Sequence, residues 1–399
     1  MKFVRLTVLM LLAVFVFGLT TANATTVRIT QPKLKALKIS LARFRIMNIS
    51  QNGNIVTGLE KVSDTKLKQK GTVYKLWVFD FSGKSRNSLK TSEILIPCSD
   101  FDNATLTHDG KICLIIAERG SKFIKVDLPT KKVTTLFEHK KGNPGFRCDT
   151  GEIQTYYTGK IGATGYFYDE KDQIRFRAIT YIDPNKTGAS IFTEAININE
   201  FELKLGNRPG TDLEWVELGQ CFWMGRINKT GNSKIDEKNK VVVDEKNKTK
   251  NAVLCYWDRG KNTILDEAKY FIHFAAGKDK IIYTVVDNIF ESKDGKTINY
   301  ENPRTYIIDK NKNRIQVNPS NKLYQNLAMS KNNGSTAIIT DRNMMTTTDS
   351  YYYGKEANGF KMVPVDGQTN TPMSVIRLSA NGNAYVTWDG FQITWGELK

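Results

Sequence analysis

The chain has 399 residues, 40% of them hydrophobic, and its Lys and Arg outnumber Asp and Glu by 17. That length suits one large repeat domain or two to three average ones, and the positive balance points to anionic rather than cationic partners. The five cysteines (Cys98, Cys113, Cys148, Cys221 and Cys255) form no CxxC pair and match no zinc spacing, which argues against a structural zinc module.

Residues 1–24 have the three parts of an export signal. Lys2 and Arg5 precede an apolar run from Val8 to Leu19, and Ala22-Asn23-Ala24 supplies small residues for cleavage after Ala24. The run is shorter than the roughly 20 residues a membrane span needs. The expectation is a signal peptide, then a mature protein that is periplasmic or secreted and has no membrane span. Removing Lys2 and Arg5 leaves a mature charge excess of 15. Phospholipid headgroups and acidic glycans are its natural counterparts, and export makes nucleic acid the least favoured.

Beyond residue 24 the chain lacks long helical periodicity. It repeats short runs rich in β-branched and aromatic residues, such as 73–80 and 281–286, closed by Gly, Asn and Asp. Two units alternate. The first is an apolar residue, Ser or Thr, a turn ending in Asn-Gly or Asp-Gly, then a strand. Copies lie at 49–56, 106–115, 329–339 and 378–386, with looser ones at Asp149-Thr150-Gly151-Glu152 and Ala276-Gly277-Lys278-Asp279. Asn-Gly and Asp-Gly suit tight hairpins because both central residues tolerate positive φ. The second unit is a strand ending in Asp, a polar turn and another strand, as at 78–84, 125–133, 255–264 and 306–315. Two hairpins make one four-stranded propeller blade.

The first unit resembles the blade signature of TolB-type and related WD-like propellers, commonly Ser-Pro-Asp-Gly-Lys, although every copy here lacks the Pro. The resemblance covers most of the chain after residue 24. It implies the fold and no particular activity.

Spacing of the turn glycines (Gly53, Gly110, Gly151, Gly277, Gly334, Gly382) gives seven units if the 126 residues between Gly151 and Gly277 hold two. The hidden fourth unit starts near Trp215–Trp223. The last has room for three strands, and Val27–Thr30 supplies the fourth. The expected fold is therefore an all-β single propeller over 25–399 with seven four-stranded blades, closed by the N-terminal strand; six and eight blades remain open.

Chemistry is less legible. Long connections are expected at 228–251, 287–304 and 341–359, on the face opposite the Asn/Asp-Gly turns. The first holds a duplicated Asp-Glu-Lys-Asn-Lys at 236–240 and 244–248. The last holds Met344-Met345 and Tyr351-Tyr352-Tyr353, aromatic candidates for ligand contact. Asp309, Asn311 and Asn313 match three calcium-loop positions, but Arg314 stands where Gly is needed and Ser320 where Glu is needed, so the segment reads as a hairpin turn. His108, His139 and His273 share no ligand spacing. No nucleophile elbow, phosphate loop or zincin motif occurs, so no catalytic residue, metal or cofactor is assigned. The sequence favours a non-catalytic exported binding or scaffold propeller, its partner a protein or an anionic cell-envelope glycan. The alternative is a propeller hydrolase or lyase acting on an extracellular polysaccharide.

Overall fold

The computed structural model describes residues 25–62, 65–66, 73–85, 87–198, 213–225, 252–291, 298–317, 322–343, 348–365, 371–372 and 375–398. The export signal, the 228–251 connection with its duplicated segment, Met344-Met345 and Ser320 lie outside the described residues.

Among the described residues, seven antiparallel sheets of four or more strands follow one another along the chain; six are meanders paired in sequence order, and the seventh completes its meander with a strand from the N-terminal end. Blade 1 comprises Phe44–Ile49, Ile55–Lys61, Tyr74–Asp80 and Lys90–Ile96; blade 2 comprises Phe101–Leu106, Ile112–Ala117, Lys122–Asp127 and Lys132–Glu138. Blade 3 comprises Gly145–Thr155, Ile161–Tyr168, Ile174–Ile182 and Phe192–Asn197, and blade 4 Leu213–Glu217, Gln220–Gly225, Ala252–Asp258 and Lys261–Ala268. Blade 5 comprises Tyr270–Ala276, Lys280–Val286, Arg304–Asp309 and Arg314–Gln316, and blade 6 Tyr324–Met329, Thr336–Asn343, Thr348–Lys355 and Val363–Pro364. Blade 7 takes Val375–Leu378, Ala384–Trp388 and Ile393–Glu397 from the C-terminal end and Thr26–Ile29 from the N-terminal end. Val27 pairs with Trp395 and Ile29 with Ile393, the shared-blade closure expected from the sequence.

Packing shows independently that the ring is closed. The buried apolar residues fall into seven clusters, one for each pair of neighbouring blades, including blade 7 with blade 1. An open row of seven blades would have one interface fewer. Within a strand, alternate residues serve opposite interfaces: Ile281 and Tyr283 pack towards blade 4, and Ile282 packs towards blade 6. This two-sided burial is why the strands read as continuous apolar runs rather than as alternation.

Two sequence assignments need correction. Asp149–Glu152 is no turn; it lies inside the first strand of blade 3, at a register shift between Cys148 and Ile153. The turn comes later, where Gly159 adopts φ 86°. The stretch 341–359 is not one long connection either. The second strand of blade 6 runs on to Asn343 and the third starts at Thr348, putting the tyrosine run within a strand.

Candidate functional site

In a meander of this kind, turns within the first and second hairpins lie on one side of the disc. The second-to-third-strand connections and the between-blade connections lie on the other. The first strands of successive blades contact one another around most of the ring, so they line its axis.

On the turn side, the repeated polar residues are engaged in building the turn. Ser50 Oγ donates to Asn52 Oδ1 and accepts from Ile55 N; Ser379 Oγ donates to Asn381 Oδ1 and accepts from Ala384 N. Thr107 and Asp109 repeat the pattern in blade 2, as do Ser330 and Asn333 in blade 6. Turns of neighbouring blades are also linked, with Asn381 N on Gln51 O at 3.2 Å and Gln51 N on His108 O at 3.1 Å. Asp309 behaves likewise: its carboxylate accepts from Asn311 N, Asn313 N and Asn313 Nδ2, a capped hairpin turn.

Four carboxylates of the innermost strands, those of Asp102, Glu152, Glu214 and Glu217, each make at least one bond to protein. Asp102 accepts from Gly120 N at 2.6 Å, and burial raises its pKa. Glu152 pairs with Arg177 at 3.4 Å. Glu214 accepts from Ala276 N at 2.7 Å and pairs with Lys331, joining blades 4, 5 and 6. Glu217 accepts from Tyr181 Oη and Leu218 N. Arg377, which sequence reasoning missed, bridges the innermost strands of blades 7 and 1 by donating to Met47 O at 3.2 Å. Its side chain keeps accessible surface, and desolvation by the surrounding protein lowers its pKa.

Tyr351 is 2% exposed and packs between blades 6 and 7 with Ile338, Val365, Ile376 and Tyr385. Tyr352 and Tyr353 are half-buried against the flanking blades. All five cysteines are buried free thiols. Desolvation pushes Cys98, Cys113 and Cys255 up to about 12, which makes them poor nucleophiles. Among the described residues, no group of three or more His, Cys, Asp or Glu is placed to hold a metal ion, and no helix is long and apolar enough to cross a membrane.

The connection side looks different. The segment joining the N-terminal strand to blade 1 contains a short helix, Gln31–Ala36, held down by Leu34, which is fully buried with Ile39 in the blade 7–blade 1 core. With that anchor inward, Lys33, Lys35, Lys38 and Arg43 face solvent, followed by exposed Arg45 at the start of blade 1. No Asp or Glu occurs from residue 25 to residue 59. The first, Glu60, is buried and engaged by Ser40 N at 2.9 Å and Trp77 Nε1 at 2.8 Å. None of the five cations makes an ion pair among the described residues. Ion pairs between described residues occur on both sides of the disc, as in Lys84–Glu397 at 2.7 Å and Lys280–Glu356 at 3.2 Å on the turn side and Lys322–Asp341 at 3.2 Å on the connection side, and the segment from Lys33 to Arg45 stands apart in having none. The sequence reading missed this cluster, although its signal, a stretch of 35 residues without an acid, is linear.

No family model matches the chain, and no curated protein matches its sequence. Among solved structures it is similar to the tricorn protease, at 12% identity and TM-score 0.50, over 92% of this chain and 34% of that one. It is similar to the β-propeller domain of the Trilobed protease from Pyrococcus furiosus, at 12% identity and TM-score 0.49, over 88% of this chain and 94% of that one. It is also similar to the Neurospora crassa Pan2 WD40 domain, at 11% identity and TM-score 0.48, over 94% and 96%. Both peptidase propellers and a WD40 domain are thus among its neighbours. At such identities the likeness is one of fold alone, and the fold is a seven-bladed β-propeller.

Proposed function

We propose that this protein is an exported, non-catalytic binding propeller that engages an anionic partner in the cell envelope through its connection face. The observation that carries this reading is the cluster Lys33, Lys35, Lys38, Arg43 and Arg45, exposed on that face without a counter-charge. Unpaired cations on one surface steer and hold anions. The repeated Ser, Thr, Asn and Asp residues of the opposite face are engaged in their own turns. The bonding of Asp102, Glu152, Glu214 and Glu217 to protein groups favours binding over the alternative, glycan cleavage by a pair of free carboxylates. Within the tyrosine run, Tyr352 and Tyr353 retain accessible surface and are the members able to add contact area. Cleavage after Ala24 leaves the strand Thr26–Ile29 intact for ring closure.

A photo-crosslinking residue placed at Phe391, on the connection face, or at Lys131, on the turn face, tests the reading in the exporting host. The expected result is envelope adducts from position 391 only. Adducts from position 131 only would assign binding to the other face.

A further inference from the structure

The connection face also carries an unusual share of exposed apolar side chains. Phe391 is 58% exposed, and it sits in the connection between the second and third strands of blade 7. Its outward position is built in. Asp389 Oδ1 accepts from the backbone N–H groups of both Phe391 and Gln392, and Gly390 takes φ 90°, which fixes a tight turn with the phenyl ring at its tip. Val375 is exposed at the start of the innermost strand of the same blade, paired with Trp388. On blade 5, the connection extends as a two-stranded ribbon in which Ile289 pairs with Tyr300 and Phe290 with Asn299, and Phe290 is 50% exposed. Ile174 stands exposed at the corresponding end of blade 3.

These residues do not form one pocket or one compact patch. They stand at separate tips around the same side of the disc, and Phe391 and Val375 share their sector with Lys33, Lys35, Lys38, Arg43 and Arg45. A small ligand would need convergent groups. A folded protein partner would be expected to meet a contiguous apolar patch with a polar rim. Separate apolar tips, two of which (Phe391 and Val375) share a sector with unpaired cations, fit a planar, negatively charged surface with an apolar interior, into which aromatic tips insert while lysines stay at the headgroups.

We infer that the connection face docks on an anionic phospholipid bilayer, with Phe391 inserting beside the Lys33–Arg45 cations and the Phe290 ribbon forming a second contact. This rests on the assignment of binding to the connection face and specifies the partner. Attachment is peripheral and reversible, because a few tips and cations supply far less than a spanning helix.

The test is co-sedimentation of the purified protein with phosphatidylcholine–phosphatidylglycerol vesicles and with phosphatidylcholine vesicles, together with a Phe391→Trp reporter. The expected result is binding to the anionic vesicles alone, with a blue shift of the reporter and quenching by brominated lipid. Lys33→Glu/Lys35→Glu/Lys38→Glu lowers partitioning by roughly ten-fold or more, and Phe391→Ser also weakens it. Lys131→Glu/Lys132→Glu on the turn face leaves it unchanged. Absence of binding to anionic vesicles overturns the inference, as does binding that survives the triple reversal at unchanged affinity. If vesicles are ignored while position 391 still cross-links to an envelope protein or glycan, the lipid is the wrong partner and the binding face stands.

Discussion

Trp395 Nε1 donates to the carbonyl oxygen of Gly53 at 2.6 Å, joining blade 7 to the first turn of blade 1 across 342 residues of chain. The same indole stacks on Phe81 at 5.2 Å, with an interplanar angle of 6°. Gly53 is fixed there by φ 81° and by Ala384 Cβ, which would lie 2.2 Å from any Cβ added to it. The ring is thus fastened at the strand pairing, at this hydrogen bond and at the stacked pair. Trp395→Phe keeps the stack and removes the donor, so it should cost about 1–3 kcal/mol in urea unfolding. An unchanged midpoint and slope would show that the bond does not contribute.

Deleting residues 25–32 removes Val27 and Ile29 from the core and leaves the strand Ile393–Glu397 as an open edge. Losing two buried aliphatic side chains costs on the order of 3–6 kcal/mol, and an unprotected edge promotes aggregation. Size-exclusion chromatography should show oligomers. A truncated protein that stays monomeric with an unaltered melting temperature would rule out closure by this strand.

The turn motif predicts a graded series. Ser379→Ala strands the buried Ala384 N–H, which Ser379 Oγ serves at 2.9 Å, and should cost about 1–3 kcal/mol. Ser330→Ala should behave alike, because Thr336 N depends on Ser330 Oγ at 3.0 Å. Exposed Lys111→Ala, in a turn of the same kind, should change stability by less than ~0.5 kcal/mol. Equal effects at all three positions would contradict a structural role for the Ser.

How much of this was legible follows from where the information lies. Asn52-Gly53, Asp109-Gly110, Asn333-Gly334 and Asn381-Gly382 could be read because each of these glycines adopts positive φ, a demand that local sequence must meet. Asp149-Thr150-Gly151 looked the same and was not, because a glycine within a bulged strand has the same local signature. Tyr351 reads as a loop residue because it falls in the expected 341–359 connection; among the partners that bury it, Ile376 and Tyr385 come from blade 7 and are remote in sequence. The connection face was assigned from topology alone. That Lys33 and Lys35 lack counter-charges and that Phe391 projects are facts about neighbours in space.

His108 gives a pH signature. Desolvation holds its pKa below the ordinary value, with a backbone contact to Tyr156 and the charge of Asp109 opposing the shift. A histidine depressed in the fold takes up its proton more readily when unfolded. Stability from this group is therefore complete above the unfolded pKa of about 6.5 and falls as the pH drops below it. Melting temperature should decline on acidification from pH 7 to 5 in the parent and decline less in His108→Asn. Parallel profiles would remove His108 as a cause.

The most direct measurement compares association with isolated host envelopes for two charge-reversed proteins. One carries Lys33→Glu, Lys35→Glu and Lys38→Glu on the connection face, and the other Lys111→Glu, Lys131→Glu and Lys132→Glu on the turn face; all six lysines are exposed. The two variants carry the same change in net charge, so only the position of the charge differs. The first should lose association by roughly ten-fold or more, and the second should retain it, with the parent's binding weakening as salt rises. Loss in the second variant with retention in the first would contradict the account, and equal loss in both would reduce it to net charge.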